Sequence, residues 1–419
     1  MTRHASATLP PADATDLGER LQLRFFRLFF RLLLAAITLG EWTVIARVLG
    51  RSGVTIAPAH HPLGIGGLYA LNLILTRRLL RHPRDPILAV YAAFAFTSVF
   101  AAVVIAGAEL AWLALRATAP LGLAFASIVP PADPARWQPV FDAGLDIALI
   151  AVAALFVFGF TYGRRALATT RTTISVAGLP AALAGFRIVH LSDLHLGAYL
   201  DREELTEHVA RVNALAPDLV CITGDLVDRA VTCAELFPVL AGLRARHGVL
   251  VTLGNHDVAA GAAAVTEAFR TYTPFTVLRN ARVDVERNGA RLTIVGLDDL
   301  GRDWARGVLE HPALPALTAD LPPERPLVVL THRPDCFEQA AALGARLVLA
   351  GHTHGGQIGV PGLVGRRVRN FAELITRYDR GTFRSGGATL VVSNGLGFTG
   401  QPIRLFTPRE IGCLDLHPA

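Results

Sequence analysis

Ile188-Val189-His190-Leu191-Ser192-Asp193-Leu194-His195-Leu196-Gly197 is an apolar run that ends in a polar pair. Strand side chains repeat every two residues. If extended backbone persists past the run, Asp193 and His195 face the same side and can grip one ion. An Asp-x-His at one strand end is weak by itself, but four later stretches repeat the pattern. Leu219–Ile222 runs into Gly224-Asp225, and Val249–Leu253 into Gly254-Asn255-His256-Asp257. Leu327–Leu330 runs into Thr331-His332, and Leu347–Ala350 into Gly351-His352-Thr353-His354. Of the 14 histidines in the chain, His195, His256, His332, His352 and His354 fall in these turns, which chance scatter explains poorly.

Ligands of α/β sheets gather beyond the carboxyl ends of strands, so the five turns are expected to converge. Gly224, Gly254 and Gly351 let the backbone turn sharply and approach a ligand closely. The donors are Asp, His and Asn, without Cys. Mixed oxygen and imidazole donors suit Mn, Fe, Zn, Ni or Co better than a structural zinc or an all-oxygen calcium site. They also outnumber the needs of one tetrahedral ion. Two divalent ions roughly 3.5–4 Å apart, sharing a carboxylate, use them naturally, supply a nucleophile at neutral pH and clamp a phosphoryl group.

Around these turns the texture is apolar strand, polar turn and amphipathic helix. Strands are expected at Phe186–Leu191, Val277–Asn280, Val283–Arg287, Arg291–Gly296, Thr389–Ser393 and Ile411–Leu416, with Asn288-Gly289 as a hairpin turn. Helices are expected at Arg202–Leu215, Ala234–His247, Ala262–Thr271 and Pro334–Leu343. Strands alternating with helices, with an antiparallel component late in the chain, indicate a layered α/β domain.

The first third differs. The chain of 419 residues is 52% hydrophobic, with a mean hydropathy of +0.42, and the excess lies near the N-terminus. After a polar lead of residues 1–20, expected to be disordered, apolar segments occur at about 25–48, 63–76, 87–108 and 143–162. The reading is a transmembrane domain of about four spans over residues 21–165, then a linker at 166–184 with a strand at Thr172–Val176. The first segment is too long for a signal peptide and lacks a convincing cleavage site. The net charge of +6 is carried by arginines that flank these segments, so it reads as topology rather than nucleic-acid affinity. Arg77, Arg78, Arg81 and Arg84 crowd one loop, and Arg164, Arg165 and Arg171 follow the last span. Positive charge stays inside, which makes this a multi-pass protein of the inner membrane with everything after the last span cytoplasmic. Glu41, Glu109, Asp142 and Asp146 are expected near headgroups or facing helix partners. Cys221, Cys233, Cys336 and Cys413 show no CxxC spacing; they exclude a disulfide framework and read as core residues in a reducing compartment.

Taken together, Asp193-x-His195, Gly224-Asp225-x-x-Asp228, Gly254-Asn255-His256-Asp257, His332 and Gly351-His352-x-His354 resemble, in order, the calcineurin-like metallophosphoesterase family over residues 185–419. The longer run to Gln357, with Ser393-Asn394-Gly395-Leu396-Gly397 and Pro402-Ile403-Arg404, is similar to its bacterial membrane-associated branch. The resemblance implies a β-sandwich flanked by helices. It implies that Asp193, His195 and His354 hold one metal, Asn255, His332 and His352 a second, and that Asp225 bridges them. It implies a phosphate-contacting His256 oriented by Asp257, Asp228 in support, and Gln357 touching substrate or bracing its loop. His190 is expected in the core, and His208 and His247 on helix surfaces. The basic loop Leu363–Arg384 could cover the cleft, rest on anionic lipid or be solvated.

The expected activity is hydrolysis of phosphate esters or pyrophosphates, of phosphorylated small molecules or of lipids held near the bilayer by the tether. Rival readings are a nuclease or cyclic-nucleotide phosphodiesterase of the same superfamily and a non-catalytic membrane sensor or transporter subunit. Nucleic acid is the weaker partner, because no recognisable module accompanies the arginines.

Overall fold

The computed structural model describes residues 12–82, 85–118, 134–300, 307–361 and 368–419. They form two units, divided after Ala154. In the first, helices occupy all four expected segments: α1 (Ala12–Arg51), α2 (His61–Arg81), α3 (Pro86–Thr118) and α4 (Pro134–Phe158). Helix α1 already begins at Ala12, within the lead expected to be disordered; residues 1–11 lie outside the described residues. Phe30–Arg51, Pro86–Ala117 and Trp137–Gly163 are long and apolar enough to cross a membrane. Helix α2 does not join them, since Arg77, Arg78 and Arg81 shorten its apolar run.

The charged groups inside this unit face helix partners. Buried Glu41 accepts from Asn72 Nδ2 at 2.6 Å, and Tyr91 donates to Asn72 Oδ1 at 3.0 Å. Asp146 pairs with Arg47 and Arg51, each at 2.9 Å. In hydrocarbon such groups are costly unless paired, which is why each acid is met by a donor from another helix or turn.

The second unit, Leu155–Ala419, begins with the last residues of α4 and a π-helical turn at Gly159–Gly163. The strand expected at Thr172–Val176 is present and begins earlier, as β1 (Leu167–Val176), paired along its whole length, in parallel, with β14 (Arg409–Pro418). Next come β2 (Phe186–Leu191), α5 (Arg202–Ala214), β3 (Leu219–Thr223), α6 (Cys233–Leu240), β4 (Val249–Thr252), α7 (Asn255–Tyr272) and the short β5 (Thr276–Val277). The hairpin β6 (Ala281–Arg287) and β7 (Ala290–Gly296) turns through Asn288 and Gly289, both at positive φ as its two-residue loop requires. The chain closes with α8 (Leu314–Thr318), β8 (Leu327–Leu330), α9 (Phe337–Ala342), β9 (Leu347–Ala350), the small hairpin β10 (Gly359–Pro361) and β11 (Val368–Asn370), β12 (Gly381–Ser385), β13 (Ala388–Val392) and β14.

Two six-stranded sheets result, ordered β1-β14-β2-β3-β4-β5 and β12-β13-β9-β8-β7-β6. Alternation along each strand divides the core. Ile188, Leu219 and Cys221 join Ile294, Val328 and Leu349 in a layer between the sheets. Val189, Val220 and Ile222 point the other way, onto Val209, Val212, Phe237 and Phe269 of α5, α6 and α7. On the far face, Val329 and Val348 pack on Phe337 and Ala340 of α9. Period-two burial on both faces is what a fully covered sheet demands. The expected β-sandwich flanked by helices is therefore the observed fold. All four cysteines are buried and free.

Ile188 has no exposed surface and lies between the sheets. Ile188→Ala should cost about 2–5 kcal/mol, read by calorimetry in detergent as a lower melting temperature of the catalytic unit. An unchanged transition would place the core elsewhere.

Candidate metal centre

Five parallel strands, β2, β3 and β4 in one sheet and β8 and β9 in the other, deliver their C-terminal ends to one place. The sheets are tied together there. His332 Nδ1 meets the Thr223 carbonyl oxygen at 2.8 Å, and the His352 N–H donates to both oxygens of Asp193 at 3.0 Å.

Extended backbone does not persist past β2. The strand ends at Leu191, and Asp193 and His195 sit at φ 54° and 44°. Their convergence comes from left-handed turns locked onto the neighbouring loop, since Asp193 N–H donates to the Gly224 carbonyl and His195 N–H to the Asp225 carbonyl, both at 3.0 Å. Asp225, His352 and His354 are also left-handed. Each non-glycine residue held so costs about 1–3 kcal/mol and persists only where its surroundings over-determine it. At Gly254 the reason is space: a Cβ there would stand 2.1 Å from Asp225 Oδ1.

The side chains form three overlapping groups with ligand atoms within 4.8 Å of one another: Asp193 with His195 and His354, His195 with Asp225 and His256, and Asp225 with His332 and His352. His195 Nε2 is 3.1 Å from His354 Nε2 and 3.7 Å from Asp225 Oδ2, while His354 Nε2 is 3.4 Å from Asp193 Oδ1. On the other side, His332 Nε2 is 3.2 Å from Asp225 Oδ2, 3.1 Å from Asn255 Oδ1 and 3.2 Å from His352 Nδ1. Facing lone pairs at such distances need protons or cations between them. The donor set fits divalent ions, with Asp225 common to both groups.

His256 lies at the edge of the cluster, 39% exposed, with Nε2 4.0 Å from Asp225 Oδ2. The expected pairing with Asp257 is corrected. The Asp257 carboxylate is buried and accepts from the N–H groups of Leu226 (2.9 Å), Val227 (3.0 Å) and Gly254 (2.9 Å), so it clamps two turns together. Asp228 does the orienting: its Oδ1 meets His256 Nδ1 at 2.7 Å and His195 Nδ1 at 2.8 Å. The resemblance implied the neighbour, but a side chain at the start of α7 points back to the turn that precedes it. Gln357 braces its loop: Nε2 donates to the Thr399 carbonyl at 2.7 Å and Oε1 accepts from Thr399 N–H at 3.1 Å.

His190 is buried in the core, as expected, but His208 is buried too, beside Arg409, rather than on a helix surface. In the basic loop, Arg369 pairs with Glu373 and Arg377 with Glu338, while Arg366 and Arg367 lie outside the described residues. Sequence reasoning gave no individual role to Phe371, Ile375, Thr399 or Arg404, beyond placing the first two in a loop that could cover the cleft. The first three line the cavity beside His256 and His352, about 260 Å³ in volume. Arg404 is buried behind His354; its sequence signals were its place in Pro402-Ile403-Arg404, similar to the membrane-associated branch, and a charge inside Ile403-Arg404-Leu405. A larger cavity, about 450 Å³, is walled by apolar residues of α1, α3 and α4 with Arg47, Arg51 and Asp146, and contains none of these donors.

Charge is finely balanced without metal. Burial opposes a charge on His195, but the hydrogen bond it donates to Asp228 and the nearby carboxylates outweigh it and hold its pKa up at about 9. Burial is likewise overcome at His332, mainly by Asp225, which lifts it to about 10. Burial pushes against ionisation of Asp225, yet the flanking histidines hold its carboxyl well below the usual range. A metal ligand must be a neutral imidazole, so metal must expel these protons. The sign follows: in the metal-free protein these raised histidines stabilise the fold below their unfolded value of 6.5 and lose that contribution as pH rises through about 9 to 10. Affinity for Mn²⁺ or Co²⁺ should therefore rise from about pH 7 to about pH 9, with proton release measurable by calorimetry in buffers of different ionisation enthalpy. Binding that is independent of pH and releases no protons would contradict this charge state.

The family model of the calcineurin-like phosphoesterases matches residues 186–356. The chain is 32% identical over 289 residues to YkuE, an uncharacterized metallophosphoesterase of Bacillus subtilis, covering 66% of this chain and 96% of that one. It is 31% identical to the uncharacterized metallophosphoesterase Cj0846 of Campylobacter jejuni, over 65% of this chain and 69% of that one. It is 32% identical to a zebrafish (Danio rerio) transmembrane protein with metallophosphoesterase domain, over 65% of this chain and 62% of that one. With the ligand-bearing turns in family order on a two-sheet sandwich, behind helices able to cross a membrane, the chain belongs to the calcineurin-like phosphoesterases, metal-dependent hydrolases of phosphoesters.

Proposed function

We propose that this membrane-associated hydrolase works with two divalent ions and cleaves phosphate esters or pyrophosphates of lipids or lipid-linked molecules. The observation that carries the two-ion reading is the shared carboxylate: Asp225 Oδ2 stands 3.2 Å from His332 and 3.7 Å from His195, between two complete donor groups. Asp193, His195 and His354 hold one ion, and Asn255, His332 and His352 the other. Bound divalent ions supply an activated water and neutralise charge on the phosphoryl oxygens. Asp228 fixes the His256 ring through Nδ1, leaving Nε2 beside the cluster to contact a phosphoryl oxygen and assist departure of the leaving group.

Support for an apolar substrate comes from the wall of the cavity. Phe371, Ala372 and Ile375 line it together with His256 and His352, and adjacent Leu374 is 79% exposed. Such apolar surface next to a phosphoryl site suits an acyl or prenyl tail better than a sugar or a nucleobase. The helices able to span a membrane are consistent with a substrate met at the bilayer.

Purified protein loaded with Mn²⁺ should hydrolyse a generic aryl phosphate diester, and His256→Ala should lower kcat by about 10²–10⁴-fold. Asp225→Asn should abolish turnover together with metal retention. A panel of mono- and diesters that includes lipid phosphates and nucleotide-diphospho-lipids should favour the lipids. Hydrolysis of nothing in the panel would end the enzyme reading; cleavage of soluble cyclic nucleotides alone would end the lipid one.

The arginines after the second and fourth helices favour a cytoplasmic catalytic unit in the inner membrane. A reporter enzyme fused to the C-terminus should be active only when it functions in the cytoplasm; activity confined to the outer side would reverse the orientation.

A further inference from the structure

The loop that carries His354 is left-handed along its length and strained at its non-glycine ends, His354 and Gln357. His354, Gly355, Gly356 and Gln357 all have positive φ, at 51°, 57°, 69° and 53°. What holds it is the segment 399–407. Thr399 grips the Gln357 side chain at both ends, Leu405 N–H donates to the Gln357 carbonyl at 2.9 Å, and Gly359 N–H donates to the Leu405 carbonyl at 2.7 Å. At its centre Arg404, 1% exposed, sends its guanidinium behind the metal cluster. Nη1 donates to the carbonyls of His354 (2.9 Å) and Asn394 (2.8 Å), and Nη2 to that of Gly397 (2.7 Å). Nη2 also stands 3.4 Å from His354 Nδ1, so the ring presents Nε2 to Asp193 and His195. The Gly397 N–H donates in turn to the Asp193 carbonyl at 2.7 Å. One side chain thus ties together the loops of two donors of the same group.

The backbone of Arg404 rests on the end of the fourth helix. Its N–H donates to the Gly159 carbonyl at 3.3 Å, and a Cβ on Gly163 would stand 2.0 Å from its carbonyl oxygen. A Cβ on Gly159 would meet Leu405 and Ile403 carbons at 2.8 and 2.9 Å, and Arg164 lies over the Phe398 ring at 5.9 Å. Both glycines belong to the π-helical turn Gly159–Gly163, a departure from regular helix of the kind that recurs at functional sites.

We infer that Arg404 is a positioning residue for the donor group Asp193, His195 and His354, and that the Gly159–Gly163 turn at the end of the last apolar helix sets Arg404 in place. The helix end and one ion are then coupled mechanically: a shift of that turn moves the arginine backbone, loosens the strained His354 loop and releases one ion in preference to the other. This rests on the reading of His354 as a metal ligand.

The test uses the full chain in detergent, with Mn²⁺ followed by elemental analysis and by electron paramagnetic resonance, in which a coupled pair and a single ion give different signals. Gly163→Ala and Arg404→Lys should each weaken one ion about 10–100-fold, the range found when supports of metal ligands are removed. At limiting metal the coupled signal should give way to that of a single ion, and excess Mn²⁺ should restore the pair. Gly66→Ala, which meets open space in α2, should leave both ions bound. Plain destabilisation would lower the melting temperature without favouring one ion in the folded fraction. If Arg404→Lys does not fold, Gly163→Ala decides; if neither folds, Gly159→Ala, which meets only side-chain carbons, decides. Equal loss of both ions, or loss of neither, overturns the coupling. A wild-type protein that retains no metal would instead overturn the reading beneath it.

Discussion

Asp225 is 2% exposed, and its carboxylate lies within 4.0 Å of ring nitrogens of His195, His256 and His332. A buried carboxylate without compensation is strongly destabilising, so this residue dictates that positive charge collect around it. In the metal-free protein the charge is protons on His195 and His332. With divalent ions it is the metal, and the same geometry becomes a site that attracts phosphate oxygens. The cluster is therefore suited to metal, being otherwise an expensive concentration of lone pairs, and an exchange of protons for metal would link its affinity to pH.

Holding those lone pairs face to face requires backbone that the chain would not adopt unaided. Asp193, His195, Asp225, His352 and His354 are all left-handed. The strain is carried by hydrogen bonds between loops rather than within them. Asp257 fastens the turns after β3 and β4, Asp193 receives the His352 N–H, and Arg404 gathers carbonyls from the loops after β9 and β13. Each clamp joins segments far apart in sequence, so the site exists only when the sandwich is closed.

Arg404 and Arg409 are both nearly without exposure, and the ring of Phe398 lies within 5.6 and 5.2 Å of their guanidinium carbons. Arg409 has Glu204 as its counter-charge, whereas Arg404 is satisfied chiefly by carbonyl oxygens, and burial pulls its pKa down to about 9. Burying a guanidinium on carbonyls is costly relative to a hydrophobic residue of similar size. Its fixed fork of donors explains the choice, because no apolar side chain can fasten the loops after β9 and β13 together.

The residues able to hold metal stand out in the sequence because each follows a short apolar strand, and strand ends in an α/β layer collect on one edge. The strand–turn–helix texture likewise indicated a layered α/β domain, while the division of Ile188 from Val189, and of Cys221 from Ile222, between two covered faces came from the structure. Other assignments, carried over from the resemblance or read from local composition, needed tertiary structure to place them. Asp257 is next to His256 but caps a turn, while Asp228, in another loop, touches the ring. The strand expected at Thr172–Val176 starts at Leu167 and pairs with Arg409–Pro418 more than two hundred residues away, a partner that local pattern does not name. Local pattern determined which residues are polar at strand ends and which helices are apolar enough for a membrane, because both depend on the period and length of nearby residues. Tertiary structure alone decided which carboxylate orients which ring, which backbone is strained and what Arg404 fastens, because those contacts join segments whose separation leaves no mark in the sequence.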